Sequence, residues 1–172
     1  MDCGGPRCFR HVTVEIRSGG SAEDVNEVVR INGAVFEPEH GLDPSFANDM
    51  AVGLAALRRS GWPGDGEGLW MAELDGRVVG AITLRGVGAG LARLGHLALM
   101  PEARGSGAGR RLVATVVAAA RAAGYERLEL MTFSDLATAR ELYRREGFLM
   151  TSSEHVMRWG RELDWERWEL AL

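Results

Sequence analysis

The sequence predicts an α/β fold on a single mixed sheet, with elements in the order βααβββαβαββ. Three observations lead there. Four stretches repeat apolar residues at helical spacing, and seven others alternate them or run them together as strands do. Asp75-Gly76, the commonest hairpin dipeptide, joins two of the strand patterns and makes that pair antiparallel. Finally, "MPEARGSGAGRRLV" (100–113) sets a glycine-rich run between a strand and a helix.

Taken in order, "VTVEIR" (12–17) alternates and reads as the first strand. Ser21 offers an N-cap to the helix "AEDVNEVVRINGAVF", whose Val25, Val28, Val29 and Ile31 share a face. "EPEHGLDP" is expected to break that helix. A second helix, "SFANDMAVGLAALRRS", runs into the loop "GWPGDGEG". "LWMAELDGRVVGAITLRG" supplies the hairpin, and "GLARLGHLALM" (90–100) a further strand that ends at Pro101. The next helix carries Leu112, Val113, Val116, Val117 and Ala120 on one stripe and stops at Gly124. "YERLELMTF" is a strand, and "LATARELYRREG" a helix turning Leu136, Ala139, Leu142 and Tyr143 inward. "FLMTSSEHVM" and "ELDWERWELAL" close the chain as two strands.

At 172 residues the chain makes one domain, residues 12–172, behind a flexible leader, 1–11. No apolar run approaches the ~18 residues of a bilayer span, and the N-terminus has no signal-peptide core, so a cytoplasmic protein without a membrane partner is expected. Cys3 and Cys8 sit in the leader, where free thiols are expected over a disulfide. No second Cys or His pair stands at metal-ligand spacing, so no metal is assigned. A net charge of −4 argues against nucleic acid as a partner. Every basic residue except the histidines is arginine, so the chain has no lysine of its own to modify.

The glycine run carries the chemistry. The first N–H groups of a helix have no intrahelical partner, and the helix dipole adds partial positive charge there. Gly105, Gly107 and Gly109 clear side chains from that approach, while Arg104, Arg110 and Arg111 add full charges. A phosphate or pyrophosphate is the natural ligand. A Walker loop needs Gly-Lys-Ser/Thr, where Arg110-Arg111-Leu112 stand. A dinucleotide fingerprint needs a third glycine, where "GSGAGR" has Arg110. The pattern R-x-x-G-x-G is matched in full from Arg104 to Gly109.

That stretch resembles the acyl-CoA loop of the GNAT superfamily of N-acetyltransferases. A second motif, "ARELYRREGF" (139–148), is similar to the family's A-x-x-L-Y-x-x-x-G-F helix and strand. The likeness runs over residues 12 to 172, element order included. "GLARLGHLALMPEARGSGAGRRLV", "LELMTFSDLATARELYRREGF" and "WGRELDWERWELAL" also resemble the acetyltransferase half of bacterial MarR-type/GNAT fusion proteins. The resemblance implies a mostly antiparallel central sheet flanked by helices. It implies acetyl-CoA as co-substrate, transferring its acetyl group to a primary amine of a small molecule or peptide by direct attack in a ternary complex. A second copy of the chain, as a homodimer, is admitted as a partner. The alternative is a non-catalytic acyl-CoA-binding sensor or regulatory module.

Carried over residue by residue, the resemblance gives the pyrophosphate to the amides of Gly105, Ser106, Gly107, Ala108, Gly109 and Arg110. Arg104 then braces the loop or contacts phosphate. The backbone of Leu97, Ala98, Leu99 and Met100 is implied to run beside the pantetheine arm. Amide formation from a thioester needs a neutral amine and a proton for the departing thiolate. Tyr143 stands at the family's general-acid position, although its helical stripe also fits a core tyrosine. The general base is open. Strand alternation puts Arg93, Gly95 and Leu97 on one face and His96 and Ala98 on the other, so His96 is expected to face away from the site. A water, Glu39 or His40 could replace it. Leu136 takes a position where the family often has asparagine. Acceptor choice is expected from residues 33–62 and the loop from His155 to Trp159, with Glu37, Glu39 and Asp43 attracting a cationic amine or merely facing solvent.

Overall fold

A computed structural model describes residues 13–172; the leader and its two cysteines lie outside the described residues. All eleven expected elements are present in the expected order: β1 (Glu15–Ser18), α1 (Ala22–His40), α2 (Ser45–Arg59), β2 (Gly68–Leu74), β3 (Arg77–Gly88), β4 (Leu91–Leu99), α3 (Ala108–Ala122), β5 (Arg127–Phe133), α4 (Ala137–Arg145), β6 (Leu149–Arg158) and β7 (Arg161–Ala171). The seven strands form one sheet in the order β1-β2-β3-β4-β5-β7-β6. Every neighbouring pair is antiparallel except β4 and β5, which α3 joins as a crossover. The helices cover both faces. Leu112, Val113 and Val116 of α3 pack on Ile82, Leu84, Leu94, Leu128 and Leu130. On the opposite face, Val28 of α1 and Leu54 of α2 pack on Met71 and Ala81.

Local sequence sets the ends of α1. Ser21 caps it through a reciprocal box with Asp24, and Gly41 closes it in the left-handed conformation at φ 65°. The break expected at "EPEHGLDP" falls later than the sequence suggested, because α1 runs through Pro38 to His40. A proline in the last turn removes one backbone donor. Packing outweighs that loss: Phe36 contacts the ring of His40 at 5.6 Å and that of Phe133 at 6.2 Å, pinning the turn to the sheet.

Two irregularities position the site. β4 and β5 are paired only from Leu91↔Arg127 to Arg93↔Glu129. From Leu94 onward they diverge, which leaves one edge of β4 without a neighbouring strand. The second irregularity is a bulge between β3 and β4. Ala81 faces Ala98 and Thr83 faces Gly95, so Ile82 alone opposes both His96 and Leu97. His96 takes the left-handed conformation that accommodates the extra residue, at φ 53°.

Candidate active site

A cavity of about 330 Å³ opens where β4 and β5 part. It draws lining residues from both faces of the sheet. Tyr143 and Thr132 come from the α3/α4 side, while Thr83, His96, Phe36 and Trp165 come from the α1/α2 side.

The bulge corrects the expected orientation of His96. Up to Gly95 the alternation holds, with Leu94 in the α3-side core. The inserted residue then inverts it. Leu97 and Leu99 pack on the α3-side core, Ala98 joins Ile31 and Val35 of α1, and His96 turns into the cavity. Its Nδ1 lies 2.8 Å from Thr83 Oγ1, and the buried Asn32 amide of α1 reaches its backbone carbonyl at 3.4 Å. Burial, with Arg85 nearby, pushes the imidazole pKa down to about 4. Gly95 was the overlooked signal, since a lone glycine inside a strand marks a bulge or a close approach. A Cβ there would stand 3.2 Å from Thr83 Oγ1.

Tyr143 is 5% exposed, stacks near Phe148 and Trp168, and lines the cavity. It is thus packed in the α3-side core and also borders the cavity. Burial raises its phenol pKa well above the usual value, so it stays protonated at any working pH. Thr132, also from the α3/α4 side, has a buried hydroxyl with no hydrogen-bond partner among the described residues. Leu136 lines the same cavity from the N-terminal cap of α4.

The glycine loop follows a short 3₁₀ turn, Pro101–Ala103, and leads into α3. Gly105 and Gly107 both lie in the left-handed region, at φ 72° and 79°, and a Cβ on either would meet open space. Their amides, with those of Ser106, Gly109 and Arg110, have no acceptor among the described residues; only Ala108 is capped, by Ser106 Oγ at 3.3 Å. A row of free donors thus converges on the N-terminus of a fifteen-residue helix. Arg104 braces this loop. Its Nε reaches the Leu99 carbonyl at 3.2 Å, and its guanidinium pairs with Glu39 at 2.7 Å. Arg111 is drawn away to the Val14 carbonyl, while Arg110 is exposed, with Glu146 only at 3.9 Å.

Neither alternative base from the end of α1 reaches the cavity. Glu39 is held by Arg104, and His40 is absent from the lining. The acidic residues expected to draw in the acceptor have local partners: Glu37 accepts from the Ala47 amide and Asp43 from the Ser45 amide. His155 is exposed beside Asp164 at 2.9 Å. From the expected regions, Phe36, Phe46, Asp49, Met50, Arg158 and Trp159 do line the cavity. Sequence reasoning missed Asn32, Thr83, Arg85 and Trp165, which the sheet register and the packing of α1 on the sheet bring together.

Comparison with known proteins agrees with this geometry. The model of the Acetyltransferase (GNAT) family matches residues 36–148, more than half of the chain. A stretch of 104 residues is 34% identical to human N-acetyltransferase 8B, covering 58% of this chain and 46% of that protein. The chain thus spans about half the length of that curated relative. Among solved structures, the ribosomal-protein-alanine N-acetyltransferase of Brucella melitensis superposes with a TM-score of 0.72 at 22% identity, over 92% of this chain and 99% of that one. A phosphinothricin acetyltransferase of Sinorhizobium meliloti, solved with acetyl-CoA, gives 0.71 at 21% identity over 93% and 89%. Likeness at that identity reports the fold, whereas the family match also takes in the glycine loop and the Tyr143 helix. On that match, the chain belongs to the acetyltransferase (GNAT) family.

Proposed function

We propose that the protein is an acetyl-CoA-dependent N-acetyltransferase acting on a primary amine of a small molecule or peptide. The observation that carries this reading is the set of unpaired amides of Gly105, Ser106, Gly107, Gly109 and Arg110 beside the gap between β4 and β5. The residues present fit acetyl-CoA. The open space over Gly105 and Gly107 admits a pyrophosphate to the backbone donors, and the exposed Arg110 adds positive charge. The edge of β4 that faces no strand offers backbone groups of Leu97 to Leu99 to an extended arm, as a sheet edge does to an added strand, whereas the expected Met100 has its amide and carbonyl taken by Val79 and Ala103. When bound, the thioester supplies an activated acyl carbon and a thiolate leaving group.

The chain's own residues do the rest. Tyr143 holds its proton in the buried side of the cavity and gives it to the departing sulfur. His96 takes the proton of the attacking amine on Nε2. That role requires the tautomer whose Nδ1–H donates to Thr83 Oγ1. Depressed basicity keeps this imidazole neutral, with its lone pair free across the working pH range. Phe36, Trp159 and Trp165 keep water from the reacting atoms.

The test is calorimetric titration with acetyl-CoA followed by a broad amine screen for release of free coenzyme A. We expect tight binding and turnover with at least one amine. Binding without turnover across the panel would favour an acyl-CoA sensor, and absence of binding would overturn both readings.

A further inference from the structure

Four charged side chains line the cavity among the described residues: Asp49, Arg85, Arg93 and Arg158. Three of them have protein partners. Asp49 accepts from the Trp159 indole at 3.0 Å. Arg93 donates to the fully buried Glu129 at 2.6 Å. Arg158 lies 4.4 Å from the ring of Trp159 and 5.0 Å from that of Trp165.

Arg85 is different. It is partly buried, yet its side chain makes no hydrogen bond or ion pair among the described residues. The acids around it are engaged. Glu129 is gripped by both Arg93 and Arg167, and Glu67 accepts from the amides of Gly64 and Gly86, each at 2.8 Å. Arg93 adds like charge nearby. A partly buried guanidinium with no anion beside it gives up some hydration in the free protein, and a ligand anion would offset that loss.

The register supplies the rest of the ligand. Thr83 and Arg85 alternate onto one face of β3, and Thr83 holds His96. Two strand residues span roughly 7 Å. An amine at His96 and an anion at Arg85 therefore fit within one short molecule. The remaining wall on that side is aromatic, from Phe36, Phe133, Trp159 and Trp165. We infer that the acceptor is a free amino acid with an apolar side chain, its carboxylate held by Arg85 and its side chain packed on this aromatic wall. A guanidinium matches a carboxylate in bidentate geometry, which would favour a free amino acid over the N-terminus of a peptide, where the neighbouring carboxyl is an amide.

The inference rests on the transferase reading above, and its test separates the two. Steady-state kcat/KM is measured for L-phenylalanine against phenethylamine and for L-leucine against 3-methylbutylamine, pairs that differ only in the carboxylate. The parent should favour the acid by about 10²-fold. Arg85→Gln should bring that ratio near unity, and Arg85→Lys should restore part of it. Because the readout is a ratio within one protein, loss of stability does not imitate it. Calorimetry with L-phenylalanine in the presence of coenzyme A reads the same contact without turnover, and binding should vanish in Arg85→Gln. A parent that takes the amines as well as the acids, or a ratio that survives Arg85→Gln, overturns the inference and leaves the transferase standing. Turnover with other amines but neither acid does the same. Coenzyme A release with no amine at all would instead sink the transferase reading.

Discussion

Burial strips the imidazole of His96 of most of its basicity, and the neighbouring Arg85 guanidinium takes more, leaving a pKa of about 4. Two consequences follow for pH. An aliphatic amine of pKa near 10 is mostly protonated at neutrality, so kcat/KM should rise through pH 8 to 9 with no limb near 6.5. His96→Gln should lower the whole profile and keep its shape. A limb near 6.5 that the variant loses would show an imidazole in contact with bulk water. The second consequence is thermodynamic. His96 binds protons more weakly folded than unfolded, so the unfolded state takes up more protons between pH 6.5 and 4. Stability is then intact above 6.5 and falls towards 4, by at most about 1.4 kcal/mol per pH unit from this group. A thermal melting series against pH in parent and His96→Gln measures the difference. For Tyr143 the change to phenylalanine keeps the ring between Phe148 and Trp168 and removes only the proton. Turnover should drop by roughly 10²-fold with acetyl-CoA affinity little altered, as read by single-turnover kinetics and calorimetry. An unchanged rate would leave Tyr143 a packing residue only.

The elements were legible where local chemistry is strong. Ser21 caps the start of α1, Asp75-Gly76 turns the β2–β3 hairpin, and the stripe of α3 is buried as its spacing implies. Pro38 misled because tertiary packing of Phe36 outweighs a lost donor in a last turn. The face of His96 misled because periodicity counts residues, and a bulge adds one without altering the pattern around it. Arg85 could not be recognised at all, since its lack of a partner depends on where Glu129 and Arg167 lie. At the start of α3, Gly107 is the N-cap, in the left-handed conformation. Gly107→Asp costs about 1–2 kcal/mol of backbone strain, and a carboxylate at an N-cap offsets part of it. The variant should fold with a far-UV circular dichroism spectrum like that of the parent. Its carboxylate would repel a pyrophosphate at the same amides, so acetyl-CoA affinity should be abolished. Near-normal affinity by calorimetry in a folded variant would take the loop out of the binding site.

For the whole molecule, the class and the element order were available from patterning, because hydrophobic periods and turn residues fix them locally. The strand order beyond the hairpins was not, since β7 inserts between β5 and β6 through contacts distant in sequence. None of the helices among the described residues is long and apolar enough to cross a membrane. The parting of β4 from β5 has a mechanical side as well. Within the sheet, three residue pairs join the four strands β1 to β4 to the three strands β5 to β7, while the core under α3 spans the join. Backbone amides beside so short a seam are expected to open locally more readily than those of fully paired strands. A ligand threaded along the open edge would act as the missing stitches. Acetyl-CoA should therefore slow amide exchange on both sides of the seam together, from Leu94 to Leu99 and from Leu130 to Phe133.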